Sequence, residues 1–475
     1  MSRGTAAVSA LALVVTAAAV VTAGRVGGPL PSSGRHAQTV AVSTAVRTCP
    51  GAGLDPRSDT RVFAATAGAR AQRGGGALTV GPVAAAASGP QLRLTERQRA
   101  TVVPWRPALG ATVLRGVGSL APGAVGAQWS LPRRAAASAG TAVAECLPPA
   151  ADWWFAGAAT SVGSTSTLVL SNPSSSVAVV DLTFFGPAGE VATPGSRGVA
   201  VAPRSSRSIG LSSFAPAVSA LTVDVHAAQG LVGAAVHVSR SDGSHRQGSE
   251  WLPAGEPPST DVLVEPAAAA GDRRLVVTNP TSREALVQAQ VIDSGGEFTP
   301  VGFTDLRLPP GSVKQLRLGR AAAGPGAAVH LTSTTPVVAA TVATRSGRAA
   351  DFAVTSSGPQ LQRAGVAPVV PGASVTLRLV STSRAAAGVT VEAFSTRGRS
   401  LGHQRVAVPG RTVADWTLRR SKGRAAYVVL TADGSTAGLY AVAHYTGRAG
   451  ISALAVRPGT YTVDRPAVTA SVTTP

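Results

Sequence analysis

The sequence predicts an all-β protein: tandem immunoglobulin-like or fibronectin-like β-sandwich units behind one N-terminal apolar helix. Three observations predict it. Apolar residues alternate over whole segments, as Ala285, Val287, Ala289 and Val291 do around Gln288 and Gln290, and a period of two is the mark of a half-buried strand. An internal repeat recurs at an offset of 107 residues, too long for a propeller blade and the size of one sandwich. Gly and Pro number 53 and 34 in a chain of 475, a punctuation that suits short strands and turns and disfavours long helices.

Residues 1–34 read as a signal peptide or signal anchor with a short linker. Met1-Ser2-Arg3 precedes Ala6–Ala23, a stretch without charge, which is the pattern of an export signal. Val21-Thr22-Ala23 offers small residues for cleavage. The stretch also reaches the lower limit for spanning a bilayer, about 17–25 residues, so a cleaved signal and an uncleaved anchor both fit. Either places the mature chain outside the cytoplasm, secreted or held at the membrane by one N-terminal segment.

Residues 35–160 read as a divergent β-rich unit. Short apolar strands are expected at Val40–Val46, Arg61–Ala65, Gln91–Leu94 and Ala111–Leu114, between Gly/Ala-rich loops. Cys49 and Cys146, the two cysteines of the chain, fit one structural disulfide in an oxidising compartment. With no matching His pair they make no zinc site.

Three related sandwiches are expected next, at 161–258, 259–365 and 366–459. Leu168-Val-Leu-Ser-Asn172-Pro173-Ser matches Leu275-Val-Val-Thr-Asn279-Pro280-Thr. The offset persists without a gap, through Gly189-Glu190 on Gly296-Glu297 and Leu211 on Leu318. A looser copy begins at Leu377, with Ser381-Thr382 in place of Asn-Pro. Six or seven strands are expected per unit, with hairpins over 220–240, 327–345 and 425–445. Residues 460–475 read as a flexible tail.

The chemistry is sparse. There is no Gly-x-Ser-x-Gly, no His-Glu-x-x-His and no phosphate loop, so no catalytic residue, cofactor or metal site is expected and the chain does not read as an enzyme. His226, His237 and His444 read as surface or satisfied strand histidines. Asp152-Trp153-Trp154-Phe155 is the one aromatic cluster. Exposed, Trp153 and Trp154 would stack on sugar rings with Asp152 accepting hydroxyl hydrogen bonds; buried, they would plug a domain junction. Trp129, Trp251 and Trp416 are expected in the core. Basic residues number 43 against 23 acidic, a formal charge of +20. All but Lys314 and Lys422 are arginine, and charged residues are 14% of the chain, so the surface is decorated rather than built for reading nucleic acid.

Cys49-Pro50, Cys146 ahead of Asp152-Trp-Trp-Phe-Ala-Gly, and Leu168-Val-Leu-Ser-Asn-Pro together resemble a family of actinobacterial secreted proteins of unknown function. The resemblance covers about Thr48 to Gly459. It implies a large extracytoplasmic β protein of the cell envelope and supplies no activity. The expectation is a non-enzymatic envelope scaffold whose partners are an envelope protein or an anionic wall polymer. A carbohydrate-binding array on the Trp153-Trp154 platform is the first rival, and an enzyme with a site assembled between units the second.

Overall fold

The computed structural model describes residues 38–51, 54, 58–66, 74–84, 92–132, 140–266, 271–319, 326–347, 350–419, 425–434 and 436–465. The expected export segment, 1–34, lies outside them. Among the described residues no helix is long and apolar enough to cross a membrane. Strand β1 (Gln38–Ala41) pairs antiparallel with the last strand, Thr462–Arg465, so four residues of the expected tail are β structure.

The rest, Val42–Tyr461, is one compact body, and its described elements are strands with short 3-10 turns between them. The first sandwich contains β2 (Thr44–Cys49), β3 (Ser58–Thr66), β4 (Gly76–Pro82), β5 (Leu92–Leu94), β6 (Ala100–Trp105), β7 (Thr112–Gly118), β8 (Ala124–Pro132) and β9 (Ala142–Glu145). Its sheets have the orders β2-β7-β4-β5 and β6-β3-β8-β9. By position in the unit these are 1-6-3-4 and 5-2-7-8.

The second sandwich repeats both orders. It runs through β10 (Asp152–Ala158), β11 (Ser164–Asn172), β12 (Ala178–Gly186), β13 (Gly189–Glu190), β14 (Val199–Val201), β15 (Ser205–Gly210), β16 (Leu221–Gln229), β17 (Gly233–Asp242) and β18 (His245–Leu252). Its sheets are β10-β16-β12 with β13 and β14 on the edge, and β15-β11-β17-β18. The third comprises β19 (Ser259–Val264), β20 (Arg273–Thr278), β21 (Ala285–Asp293), β22 (Gly296–Phe298), β23 (Leu306–Leu308), β24 (Val313–Arg317), β25 (Ala328–Arg345) and β26 (Asp351–Ser356). The fourth comprises β27 (Ala364–Pro368), β28 (Ala373–Ser381), β29 (Ala387–Phe394), β30 (Ser400–Val408), β31 (Val413–Thr417), β32 (Tyr427–Asp433), β33 (Leu439–Gly447) and β34 (Ile451–Ala455). β35 is Thr462–Arg465.

Three sequence expectations change here. The N-terminal unit is not of a different kind: its strand order equals that of the other three. β10 pairs with β16, so Asp152–Ala158 opens the second sandwich instead of closing the first. The expected hairpins are not hairpins. Strands 6 and 7 of each unit lie in opposite sheets, and in the third unit they are one 18-residue strand, β25. Its first half pairs with β19 and β21 and its second with β20 and β26, a strand turning the corner between two packed sheets. The units therefore have the two-layer sandwich architecture with a strand order of their own: strands 1 and 2, neighbours in the immunoglobulin order, lie here in opposite sheets.

A backbone detail repeats four times. The turn before strand 5 places Gln98, Arg204, Gly311 and Arg411 at φ +62, +46, +65 and +54. Each donates its N–H to a carbonyl at or just beyond the end of strand 2, those of Thr66, Ser174, Thr281 and Ser383, at 2.9–3.2 Å. In the second and third units the loop after strand 2 is bracketed by the Asn-Pro motif. Asn172 Nδ2 donates to the Ser176 and Val201 carbonyls while its Oδ1 accepts from Ser174. Asn279 repeats every one of these bonds, to Arg283, Leu308 and Thr281. The shared motif is a loop clamp.

The four sandwiches close into a ring. In each, the outer face of the 5-2-7-8 sheet packs on the preceding unit. Val276, Val338, Val342 and Val354 of the third join the core of the second, and Thr222 and Thr278 hydroxyls meet at 2.6 Å. Val380 and Val413 of the fourth pack with Leu263, Ile292 and Ala328 of the third. Val169 and Trp251 of the second pack with Ala142 and Ala144 of the first. Phe63, Ala127 and Trp129 of the first join the core of the fourth, with the Phe63 and Tyr427 rings 6.0 Å apart. This is head-to-tail association whose rotation closes.

The four eighth strands, β9, β18, β26 and β34, touch in a cycle at the centre. Asp351 begins β26 there, 2% exposed. Its Oδ2 accepts from the Thr141 and Ile451 backbone N–H groups of two other units at 3.1 and 2.8 Å. Around it stand Gly140, Gly248 and Gly450, where a Cβ would collide with its carboxylate. The first, second and fourth units leave space at the axis, and Asp351 of the third fills it.

Candidate functional site

A cleft of about 630 Å³ opens between the first and second sandwiches. Thr79 of β4 and Arg115 of β7 form one wall; Pro173, Ser174 and Ser175 of the clamped loop and Arg204 of the adjoining turn form the other. Both arginines are exposed. Alternation along β7 puts Leu114 in the core and Arg115 outside, and an Arg115 guanidinium N–H donates to the Pro173 carbonyl at 3.0 Å. No carboxylate lines this cleft. Its chemistry is two guanidiniums beside serine and threonine hydroxyls, a set that binds oxyanions and carries no proton acceptor of catalytic pKa. Nothing in the sequence marks Arg115 or Arg204 among forty-one arginines; only the fold brings them together.

The aromatic segment is divided by the strand period. Trp153 is buried, donates Nε1–H to the Val232 carbonyl at 3.0 Å and stacks on Phe155. Trp154 points to the other face and stacks on Phe185, ring centroids 5.9 Å apart. Asp152 is exposed and meets His226 Nδ1 at 2.6 Å. Asp152, Trp153 and Trp154 therefore do not share one surface, and a two-ring sugar platform is not formed. The Asp152 hydrogen bond holds the His226 pKa up. Beside it, burial and the Asp152 charge push Asp224 up to about 6.

Cys49 and Cys146 form a disulfide, both cysteines fully buried within the first sandwich. Trp129 and Trp251 are core; Trp416 is half-buried and donates Nε1–H to Gln404. His237 packs edge-on against Trp251, and His444 is buried and held neutral by desolvation and by Arg378 and Arg273. Among the described residues no three His, Cys, Asp or Glu side chains are grouped to hold a metal ion.

A family of unknown function (DUF5719) matches residues 95–418, from the turn before β6 through β31. The chain belongs to this family. No curated protein matches it. Among solved structures, a biofilm-associated protein, BSP domain, aligns over 90% of this chain and 99% of its own, at 9% identity and a TM-score of 0.14. Escherichia coli alpha-2-macroglobulin activated by porcine elastase aligns over 88% of this chain and 44% of its own, at 10% identity and a TM-score of 0.13. Alignments at those TM-scores carry no argument about function.

Proposed function

We propose that this member of the family is a non-enzymatic, extracytoplasmic scaffold of the cell envelope: a ring of four two-layer β-sandwiches that presents a fixed outer surface to a partner. The observation that carries the reading is the closed ring. Each sandwich buries apolar residues of a sheet face against a neighbour, which makes one compact body in place of a jointed string. The buried disulfide supports an oxidising compartment, and the expected signal or anchor supplies the route there. An arginine-rich outer surface suits an acidic envelope component.

Cell fractionation of the full chain, with alkylation of denatured protein before and after reduction, tests this. The expected result is protein in the extracytoplasmic fraction whose thiols alkylate only after reduction. A cytoplasmic protein with two free thiols would overturn it.

A further inference from the structure

We infer that the cleft between the first and second sandwiches binds the phosphate groups of a polyanionic polymer through Arg204 and Arg115. The ring repeats this junction between successive sandwiches. In the first, third and fourth units the left-handed turn residue before strand 5 faces the hairpin between strands 3 and 4 of the preceding unit. Gln98 abuts Gly398 and accepts the Tyr427 hydroxyl on its carbonyl at 2.6 Å. Gly311 lies against Glu190. Arg411 pairs with Glu297, Nη1 to Oε2 3.2 Å. Among the described residues Arg204 alone of these four meets no counterpart across the junction: no carboxylate pairs with it, and the cleft opens there instead. Val83 and Ala84, which line the cleft with it, carry no charge.

Arg204 holds a left-handed conformation that costs a non-glycine residue free energy, at a position where the third unit uses Gly311. A strained backbone position bearing an unneutralised guanidinium points to function. Where Glu297 supplies the oxyanion for Arg411, an external oxyanion serves Arg204. Arg115, on the opposite wall and from another sandwich, supplies the second guanidinium, and Ser174, Ser175 and Thr79 supply hydroxyls. Two planar forks on opposing walls suit a phosphate, which offers oxygens in several directions; a planar carboxylate satisfies one fork. That the phosphate belongs to an extracellular polymer rests on the proposed function; that the cleft takes phosphate does not.

The test is binding of fluorescein-labelled polyphosphate to the full chain, with polygalacturonate as the carboxylated competitor. Arg204→Gly restores the residue of the third unit, so its melting temperature is expected to be unchanged or raised. Arg204→Gly and Arg115→Gln are each expected to weaken binding about tenfold, roughly one charge-assisted hydrogen bond. Arg317→Gln, an exposed arginine elsewhere, is expected to leave it within about twofold, the scale of a rim charge. Three outcomes overturn the inference: no polyphosphate binding at low salt, equal losses from all three variants, or polygalacturonate bound as tightly as polyphosphate. None of them bears on the scaffold reading, which fractionation decides.

Discussion

At the scale of the residue, Asp351 ties three units together at the axis through the Thr141 and Ile451 backbone N–H groups. Burial pushes its carboxyl up to about 7, against which backbone N–H donors from Ile451, Thr141 and Phe352 work only in part. Burial likewise pushes Glu265 up to about 8 and Glu250 well above the ordinary range. Groups with raised carboxyl pKa values bind protons in the native state that the unfolded chain has already released near pH 4. Their contribution to stability is therefore fullest below pH 4 and is lost as the pH rises towards 7 or 8. Asp351→Asn keeps the shape and removes the titration. Its melting temperature is expected to exceed that of the wild type at pH 8 and to fall less between pH 5 and 8, which thermal unfolding across that range checks. Parallel curves for the two proteins would show that the axial carboxyl does not titrate in the native state. No pattern in the sequence announces Asp351. The signal exists only as glycines at Gly140, Gly248 and Gly450, which are unremarkable among 53.

At the scale of the element, the strands of the second, third and fourth units were legible because one face of each is buried in its own sandwich, as in β21 and β29. Short apolar strands were legible in the first unit too, close to β2, β3, β5 and β7. Its kinship with the others was not, because its clamp lacks asparagine: Thr66 Oγ1 accepts the Gln98 N–H instead. The Asn-Pro motif that announces the repeat does structural work. Asn172 and Asn279 are fully buried, and truncation strands several backbone groups in each loop. Asn172→Ala and Asn279→Ala are expected to cost about 1–3 kcal/mol each. In the fourth unit Ser381, with one long bond to Ser383, is expected to lose less than about 0.5 kcal/mol on conversion to Ala. Chemical denaturation of the three variants measures this ordering, and equal losses would contradict the clamp.

At the scale of the whole molecule, ring closure is what composition and periodicity left out. A trace of it was present: Leu275-Val276-Val277 and Val337-Val338-Ala339-Ala340 are continuous apolar runs rather than alternating ones, the mark of strands covered on both faces. Inner residues Leu275, Val277, Val337 and Ala339 fill the third sandwich, while Val276, Val338 and Ala340 face the second. Runs of this kind say that a second face is covered without saying by which unit. The junction that closes the ring joins segments some three hundred residues apart, Ala100 N–H to the Thr396 carbonyl at 2.9 Å, and no local pattern encodes a pairing at that range. The disulfide-bonded wild-type cysteines leave introduced ones free for labelling. Spin labels at Arg99→Cys and Arg397→Cys, both exposed and next to that bond, therefore read closure directly by double electron–electron resonance. The closed ring predicts one narrow distance under about 25 Å, a few Cα spacings plus the label arms. A distribution near 60 Å, two intervening sandwiches with strands of about 30 Å each, would contradict it.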